Sequence, residues 1–217
     1  MDKRFISLLA FSLAAVPTLA AADDSGWYAA ADLGRAHYSE GDLTPSGLCS
    51  FPPFCTTFSN VKLNDRGYRL SGGYQFDDHW GVEAGYADFG TASETVFVRY
   101  PVAFFNDRKF KAHGWTVGGT GTWSWDNSWS LTGRLGLIRA TMETDIEGTL
   151  CPASGCSFSA TTATDWRWTL GGSLNWILAE DWMLRLNFDH YRRLGETNVT
   201  GQFSVNLITF GAVYRFR

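Results

Sequence analysis

Apolar and polar residues alternate one by one through most of the chain after residue 26. In the segment WTVGGTGTWSW at 115–125, one face carries three tryptophans, a valine and two glycines, and the other carries threonine, serine and one glycine. The segment WRWTLGGSLNWIL at 166–178 repeats the pattern, with tryptophan and leucine on one face and mainly arginine, threonine, serine and asparagine on the other. A period of two over such lengths predicts β-strands rather than helices.

The alternation predicts eight strands, each close to the length that a tilted strand needs to cross a bilayer. No proline falls inside any of these segments, as strand ladders require. The predicted strands cover 27–38, 67–76, 80–89, 111–125, 129–142, 165–178, 182–192 and 202–216.

Short and long connections alternate between the predicted strands. The short ones lie at 77–79, 126–128 and 179–181. The longer ones lie at 39–66, 90–110, 143–164 and 193–201. All short connections therefore fall at one end of the sheet, which is the layout of an outer-membrane barrel with short periplasmic turns and long extracellular loops. The sequence predicts an all-β fold, an eight-stranded antiparallel transmembrane β-barrel.

Alternation alone does not say which face of the sheet points outward. Aromatic residues gather beside the short connections, as expected at a membrane–water interface. They include Trp80, Trp123, Trp125, Trp129, Trp176 and Trp182. The polar face is mainly glycine, threonine and serine, whereas a water-exposed surface would carry more lysine and glutamate. We therefore predict an apolar face in lipid and a narrow polar lumen. A soluble, lipocalin-like ligand carrier with its apolar face inward is the alternative.

The first 22 residues differ from the rest of the chain. Lys3 and Arg4 precede an apolar run at 5–16, and three alanines at 20–22 end the segment. This order is typical of a secretory signal peptide. We predict a signal peptide at 1–22 and a barrel domain at 23–217. No later apolar run approaches the roughly 18 residues of a transmembrane helix.

Charge and cysteine content narrow the chemistry further. The 217-residue chain has a formal net charge of −4 and no basic cluster, so nucleic-acid binding is not expected. Four cysteines form two close pairs, Cys49 with Cys55 and Cys151 with Cys156, and export favours their oxidation to disulfides, although three connectivities are open. Neither pair has zinc-site spacing or a neighbouring histidine, and we predict no metal or other cofactor.

Several charged residues occupy the alternate positions of the predicted strands that face the lumen; we call this inward parity. Isolated buried charges are costly, so charges of opposite sign in a narrow lumen should pair. The predicted lumen network consists of Asp32, Arg69, Glu83, Arg134, Arg185 and Asp189.

Four stretches resemble the transmembrane domain of the OmpA-like outer-membrane family. They are WYAAADLGRAHY at 27–38, GGYQFDDHWGVEAGYADFG at 72–90, GRLG at 133–136 and FGAVYRF at 210–216. The resemblance implies a barrel in the outer membrane of a Gram-negative bacterium, inserted by the barrel-assembly machinery and surrounded by outer-membrane lipid and lipopolysaccharide.

The resemblance also implies a role for two lumen residues. In the family a lumen glutamate–arginine pair acts as a gate, and Glu83 and Arg185 match those positions. The family's alternative partners, a lysine and a second glutamate, align here with Thr120 and Asn175. Two interpretations follow, a static network that fills the lumen and a narrow gated channel.

An enzymatic alternative rests on the last two strands. Some small outer-membrane barrels are lipid A acyl hydrolases with a serine–histidine pair on the lipid face. A final hairpin centred near Thr197 would place Ser204 directly across from His190. However, no acid is placed to orient the imidazole, and Arg192 stands where an H-x-S arrangement needs serine. We therefore expect no enzyme.

Two predicted loops carry exposed apolar residues, LCSFPPFCTTF at 48–58 and VFVRYPVAFF at 96–105. Loops on a rigid scaffold often carry binding function, and apolar patches often mark interaction sites. They fit surface interaction with host or other cell-surface ligands, or packing against each other over the barrel mouth. The expected role is membrane integrity and surface interaction.

Overall fold

The computed structural model describes residues 25–39, 57–98, 104–125, 128–148, 161–196 and 202–216. The predicted signal peptide and all four cysteines lie outside the described residues. Within the described ranges, no helix is long and apolar enough to cross a membrane.

Nine β-segments build a single sheet. They are β1 Gly26–Ser39, β2 Thr57–Lys62, β3 Asn64–Gln75, β4 Trp80–Val98, β5 Phe104–Ser124, β6 Trp129–Gly148, β7 Thr161–Ile177, β8 Trp182–Leu194 and β9 Phe203–Phe216. From β3 to β9 each segment pairs antiparallel with the next, and β1 pairs with both β3 and β9, which closes the sheet. Both β2 and β3 pair with β4, with only Leu63 between them, so they are two segments of one barrel strand. The predicted eight-stranded antiparallel barrel is confirmed.

Large apolar side chains cover the outer wall of the barrel over part of its height. We call this surface the lipid belt, defined by Leu33, Leu70, Val82, Val117, Leu135, Leu170, Leu186 and Phe210, all exposed. At the end where 77–79 and 179–181 connect strands, the turn end, the belt is bordered by exposed Trp80, Trp123, Trp125, Trp176 and Trp182. Trp129 is half-buried and stacks on Trp176, with ring centroids 5.8 Å apart. All six tryptophans predicted to border the membrane therefore lie at one edge of the belt.

The first tight turn is held by one carboxylate. Asp77 Oδ1 accepts hydrogen bonds from the backbone N–H groups of Trp80, at 2.7 Å, and His79, at 2.8 Å. These two bonds stabilise the charged form and lower the pKa of Asp77.

Several strands continue well past their predicted ends. β4 runs to Val98 and β5 begins at Phe104, so most of the loop predicted at 90–110 is a paired hairpin. β6 and β7 extend likewise into the range 143–164, and β2 lies inside the range 39–66. These predicted strand boundaries are wrong. In the extensions the polar residues face outward and the apolar residues face inward, which is the reverse of the part within the membrane, so the predicted pattern stopped there.

The inversion is clearest along β6. Its outward residues are apolar up to Leu137 and then become polar, starting with Arg139. Its inward residues change from Arg134 to buried Ile138 and Met142. Two adjacent apolar residues, Leu137 and Ile138, mark the crossing point. Beyond it the barrel has the polarity of a water-soluble protein, with a polar exterior and an apolar interior.

The interior of this second part is an apolar cluster, which we call the upper core. The prediction of a polar lumen therefore holds only for the part of the barrel nearer the turn end. Phe89 packs on Tyr191 and Phe110 on Phe203, with centroids 4.6 and 4.9 Å apart. The upper core consists of Ala36, Tyr38, Ala87, Phe89, Ala92, Phe110, Ala112, Ile138, Ala140, Met142, Tyr191, Leu194, Phe203, Val205 and Leu207.

A β-bulge in β4 lies at the level of this change. The register to β5 shifts between Asp88 and Thr91, and Gly90 has a positive φ of 68°. A Cβ on Gly90 would meet the Arg66 carbonyl oxygen at 2.5 Å, so only glycine fits. The bulge adds one residue and switches which residues of β4 face inward, from odd numbers below to even numbers above.

We predict that a charge is costly on the lipid belt and tolerated above it on the same strand. Leu170→Arg should reduce the free energy of unfolding by about 2–4 kcal/mol, because the guanidinium meets hydrocarbon. Thr162→Arg, on the same face of β7 beyond the belt, should change it by no more than about 1 kcal/mol. Urea unfolding in phospholipid vesicles, followed by tryptophan fluorescence, measures both. Equal costs would contradict the assigned belt.

Candidate functional site: the charged lumen

The six charged residues predicted for the lumen meet inside the lower part of the barrel. Strands β1, β3, β4 and β6 each contribute one of them, and β8 contributes two. Each has inward parity on its strand, and each is at most 9% exposed. They are Asp32, Arg69, Glu83, Arg134, Arg185 and Asp189.

Arg185 joins two of the acids. Its guanidinium donates to both carboxylate oxygens of Asp32, at 2.9 and 2.5 Å, and to Glu83 Oε2 at 3.1 Å. A fourth hydrogen bond, to Ser71 Oγ, measures 2.9 Å. The two bonds to Asp32 form the planar, bidentate geometry that makes arginine–carboxylate pairs strong and directional.

The other two arginines extend the network across the lumen. Arg69 pairs with Glu83 and, at 3.1 Å, with Asp189. Arg134 then pairs with Asp189 at 3.0 Å. The six side chains form one alternating chain of ion pairs, in the order Asp32, Arg185, Glu83, Arg69, Asp189 and Arg134. Its three positive and three negative charges cancel.

Neutral side chains complete the network. Tyr28 donates to Glu83 Oε2 at 3.1 Å, and Asn187 donates to Asp32 Oδ1 at 3.1 Å. Arg134 also donates to Asn187 Oδ1 and Ser173 Oγ, at 2.9 and 3.3 Å. Tyr28 and Ser71 were not among the predicted site residues, although their inward parity could have identified them.

A glycine makes room for one of the acids. Gly171 of β7 lies directly across from Asp189 in the register. A Cβ on Gly171 would collide with the Asp189 carboxylate. The missing side chain therefore gives Asp189 the space to reach both Arg69 and Arg134.

The two positions aligned with the family's alternative gate partners carry no charge. Thr120 is buried in the lumen, and its hydroxyl has no hydrogen-bond partner. Asn175 donates to Ser130 Oγ and Thr132 Oγ1, at 3.2 and 2.9 Å. The additional charged partners of the Glu83–Arg185 pair are instead Arg69 and Asp32.

Two small cavities adjoin the network. One, of about 20 Å³, is lined by Arg69, Glu83, Thr120 and Asp189 among others. The second, of about 40 Å³, lies nearer the turn end beside Tyr28 and Arg185. Each has room for one or a few water molecules. In the described ranges, no three His, Cys, Asp or Glu side chains are grouped to hold a metal ion.

The predicted serine–histidine pair does not form. His190 lies across from Asn206, and the two side chains are joined by a 2.6 Å hydrogen bond. A bulge between Tyr191 and Leu194, with Arg193 at φ 49°, shifts the register. Ser204 Oγ instead accepts a hydrogen bond from the Arg193 backbone N–H at 3.2 Å. The predicted placement of Ser204 across from His190 is therefore wrong.

A closed barrel with an apolar outer belt and paired charges inside defines an integral membrane β-barrel. Residues 6–216 match the family model described as the outer membrane protein beta-barrel domain, and the chain belongs to this family. It is an integral protein of the Gram-negative outer membrane, as the resemblance implied. The soluble carrier alternative is thereby excluded.

Solved structures show the same fold. Neisserial surface protein A is 13% identical, with a TM-score of 0.56, over 88% of this chain and 99% of that one. OprG from Pseudomonas aeruginosa is 18% identical, with a TM-score of 0.52, over 88% and 96%. AlkL in lipid bilayers is 11% identical, with a TM-score of 0.50, over 100% and 97%. No curated protein matches the sequence significantly.

We predict that the network depends on Arg185. Arg185→Met should lower the free energy of unfolding by about 3–5 kcal/mol, because Asp32 and Glu83 lose a buried counter-charge. Adding Asp32→Asn should recover part of the loss. Arg167→Met is the control, because Arg167 and its partner Asp165 are partly exposed, and it should cost at most about 1 kcal/mol. Equal losses at Arg185 and Arg167 in urea titrations would contradict the prediction.

Proposed function

We propose that this protein is a closed outer-membrane scaffold, with a role in membrane integrity and surface interaction rather than in transport. The observation that carries the proposal is that the interior is filled at two successive levels. Paired charges fill it within the lipid belt, and the upper core fills it above.

The ion-pair chain supports a closed lumen within the membrane. Each of its four inner members has two partners of opposite charge, and side chains from five strands take part. Opening a water path requires several buried ion pairs to break together, and each broken buried pair is costly.

The upper core supports a rigid platform above the membrane. Phe89, Phe110, Tyr191 and Phe203 are each at most 4% exposed. Their contacts join β4 to β8 and β5 to β9 above the lipid belt. The described parts of the predicted loop 96–105, residues 96–98 of β4 and 104–105 of β5, lie on strand extensions away from the bilayer, where a surface partner can reach them.

A narrow gated channel is the second candidate. Its support is the 3.1 Å ion pair between Glu83 and Arg185, at the positions that form the gate in the OmpA-like family, with a small cavity on either side. In the gating step Glu83 and Arg185 would separate, with Glu83 remaining paired to Arg69 and Arg185 to Asp32.

Planar-bilayer conductance separates the two candidates. We expect wild type and Glu83→Ala to be silent, because the upper core still blocks the lumen when the pair is broken. Glu83→Ala combined with Tyr191→Ala should produce openings, because both levels are then weakened. Glu143→Ala, on the outer surface, is the control and should be silent. Discrete openings from Glu83→Ala alone would favour the gated channel.

We also propose that the barrel has no acyl-hydrolase activity, since His190 contacts Asn206 instead of a serine. Lipid A from Gram-negative cells expressing the wild-type protein should have the same mass spectrum as lipid A from cells expressing His190→Ala. Loss of an acyl chain that depends on His190 would contradict this expectation.

A further inference from the structure

Two arginines face each other on the outer wall just beyond the lipid belt. Arg35 of β1 and Arg66 of β3 are direct cross-strand partners in the register, and both side chains are exposed. Residues directly opposite in an antiparallel pair have their Cβ atoms only about 5 Å apart, and like charges there are destabilising. The sheet therefore holds two like charges close together at one level of the outer wall.

One neighbouring acid offsets this pair in part, because Asp65 and Arg66 attract each other electrostatically. Asp65 Oδ2 accepts the Thr91 N–H at 2.7 Å, and Asp88 Oδ1 accepts the Gly90 N–H at 2.8 Å. Neither arginine forms a salt bridge with another described residue, and the backbone N–H groups of the β4 bulge hold both nearby carboxylates in place.

The opposite side of the barrel is arranged differently. On the extensions of β5 and β6, Lys111 lies across from Glu143 and Lys109 across from Asp145. Cross-strand charges there have opposite signs. The arginine pair is therefore a local feature of the β1–β3 wall and not a general property of the outer surface.

The surroundings of the pair are apolar on one side and polar on the other. Toward the turn end, Leu33 lies across from Tyr68, and Leu33 is 73% exposed. Away from the turn end, His37 and Asn64 are joined by a 2.7 Å hydrogen bond. An anion held by both guanidiniums would thus sit at the boundary between hydrocarbon and water, with apolar wall beneath it for acyl chains.

We infer that Arg35 and Arg66 form a binding site for a phosphate group of an outer-leaflet glycolipid, the phosphorylated glucosamine headgroup of lipid A. Two guanidinium groups provide the planar donor geometry that suits phosphate oxygens, and the phosphate removes the repulsion between them. The loop end of an outer-membrane barrel faces the leaflet in which this lipid lies.

Binding by the full-length folded protein in detergent micelles tests the site, with native mass spectrometry detecting the bound lipid. The probes are bisphosphorylated lipid A, dephosphorylated lipid A and inorganic phosphate. Wild type should bind the phosphorylated form, and Arg35→Gln with Arg66→Gln should weaken binding by about tenfold for each lost charge-assisted contact. Arg35→Lys with Arg66→Lys should retain part of it.

Lys111→Gln is the control, because Lys111 is also exposed but lies opposite Glu143. It should bind like wild type. Equal weakening by Lys111→Gln would show nonspecific charge attraction and overturn the inference. So would equal binding of dephosphorylated lipid A, or displacement of the lipid by an equal concentration of inorganic phosphate.

Arg66→Glu keeps the test informative if the double glutamine variant folds poorly. It places an acid across from Arg35, which removes the repulsion but destroys the anion site. Without lipid, Arg66→Glu should unfold at a higher temperature than wild type. Adding bisphosphorylated lipid A should raise the unfolding temperature of wild type only. A similar rise in Arg66→Glu would overturn the inference.

Discussion

The hydrocarbon around the barrel wall is the constraint on which the rest of the structure depends. Because lipid offers no hydrogen bonds, every backbone N–H and C=O in the membrane must pair within the sheet, and the sheet must close. Each strand must then place apolar side chains outward, as Leu135 and Leu170 are placed. Polar side chains are left with the narrow interior, where charges have to neutralise one another. The ion-pair chain from Asp32 to Arg134 is the result.

Above the membrane the same constraint ends, and the polarity of the wall reverses. Water then covers Arg139 and its outward neighbours, and Ile138 and Met142 turn into a shared apolar interior. The bulge at Gly90 lets β4 follow this reversal, because it shifts the inward parity by one residue. The two levels support each other, since Asp189 in the ion-pair chain and Tyr191 in the upper core are successive inward residues of β8.

The periodicity of the sequence was sufficient to predict eight strands and the lumen positions of Asp32, Arg69, Glu83, Arg134, Arg185 and Asp189, because inward parity within one strand is a local property. The strand extensions were missed because apolar and polar residues exchange faces there. Alternation alone does not say which face meets water. The placement of Ser204 across from His190 failed for another reason. It assumed an unbroken hairpin, whereas the bulge at 191–194 adds a residue that only tertiary geometry reveals.

Arginine occurs in two settings in this barrel, inside the lumen and on the outer wall, and the two settings differ in how the positive charge is compensated. Arg185 and Arg69 each pair with two carboxylates of the same chain, and the lumen network carries no net charge. Arg35 and Arg66 lie opposite each other on the outer wall with no such partner among the described residues. Charge that the fold does not neutralise internally must be compensated by the environment. This contrast supports the proposed role at the leaflet and the surface rather than one in transport through the lumen.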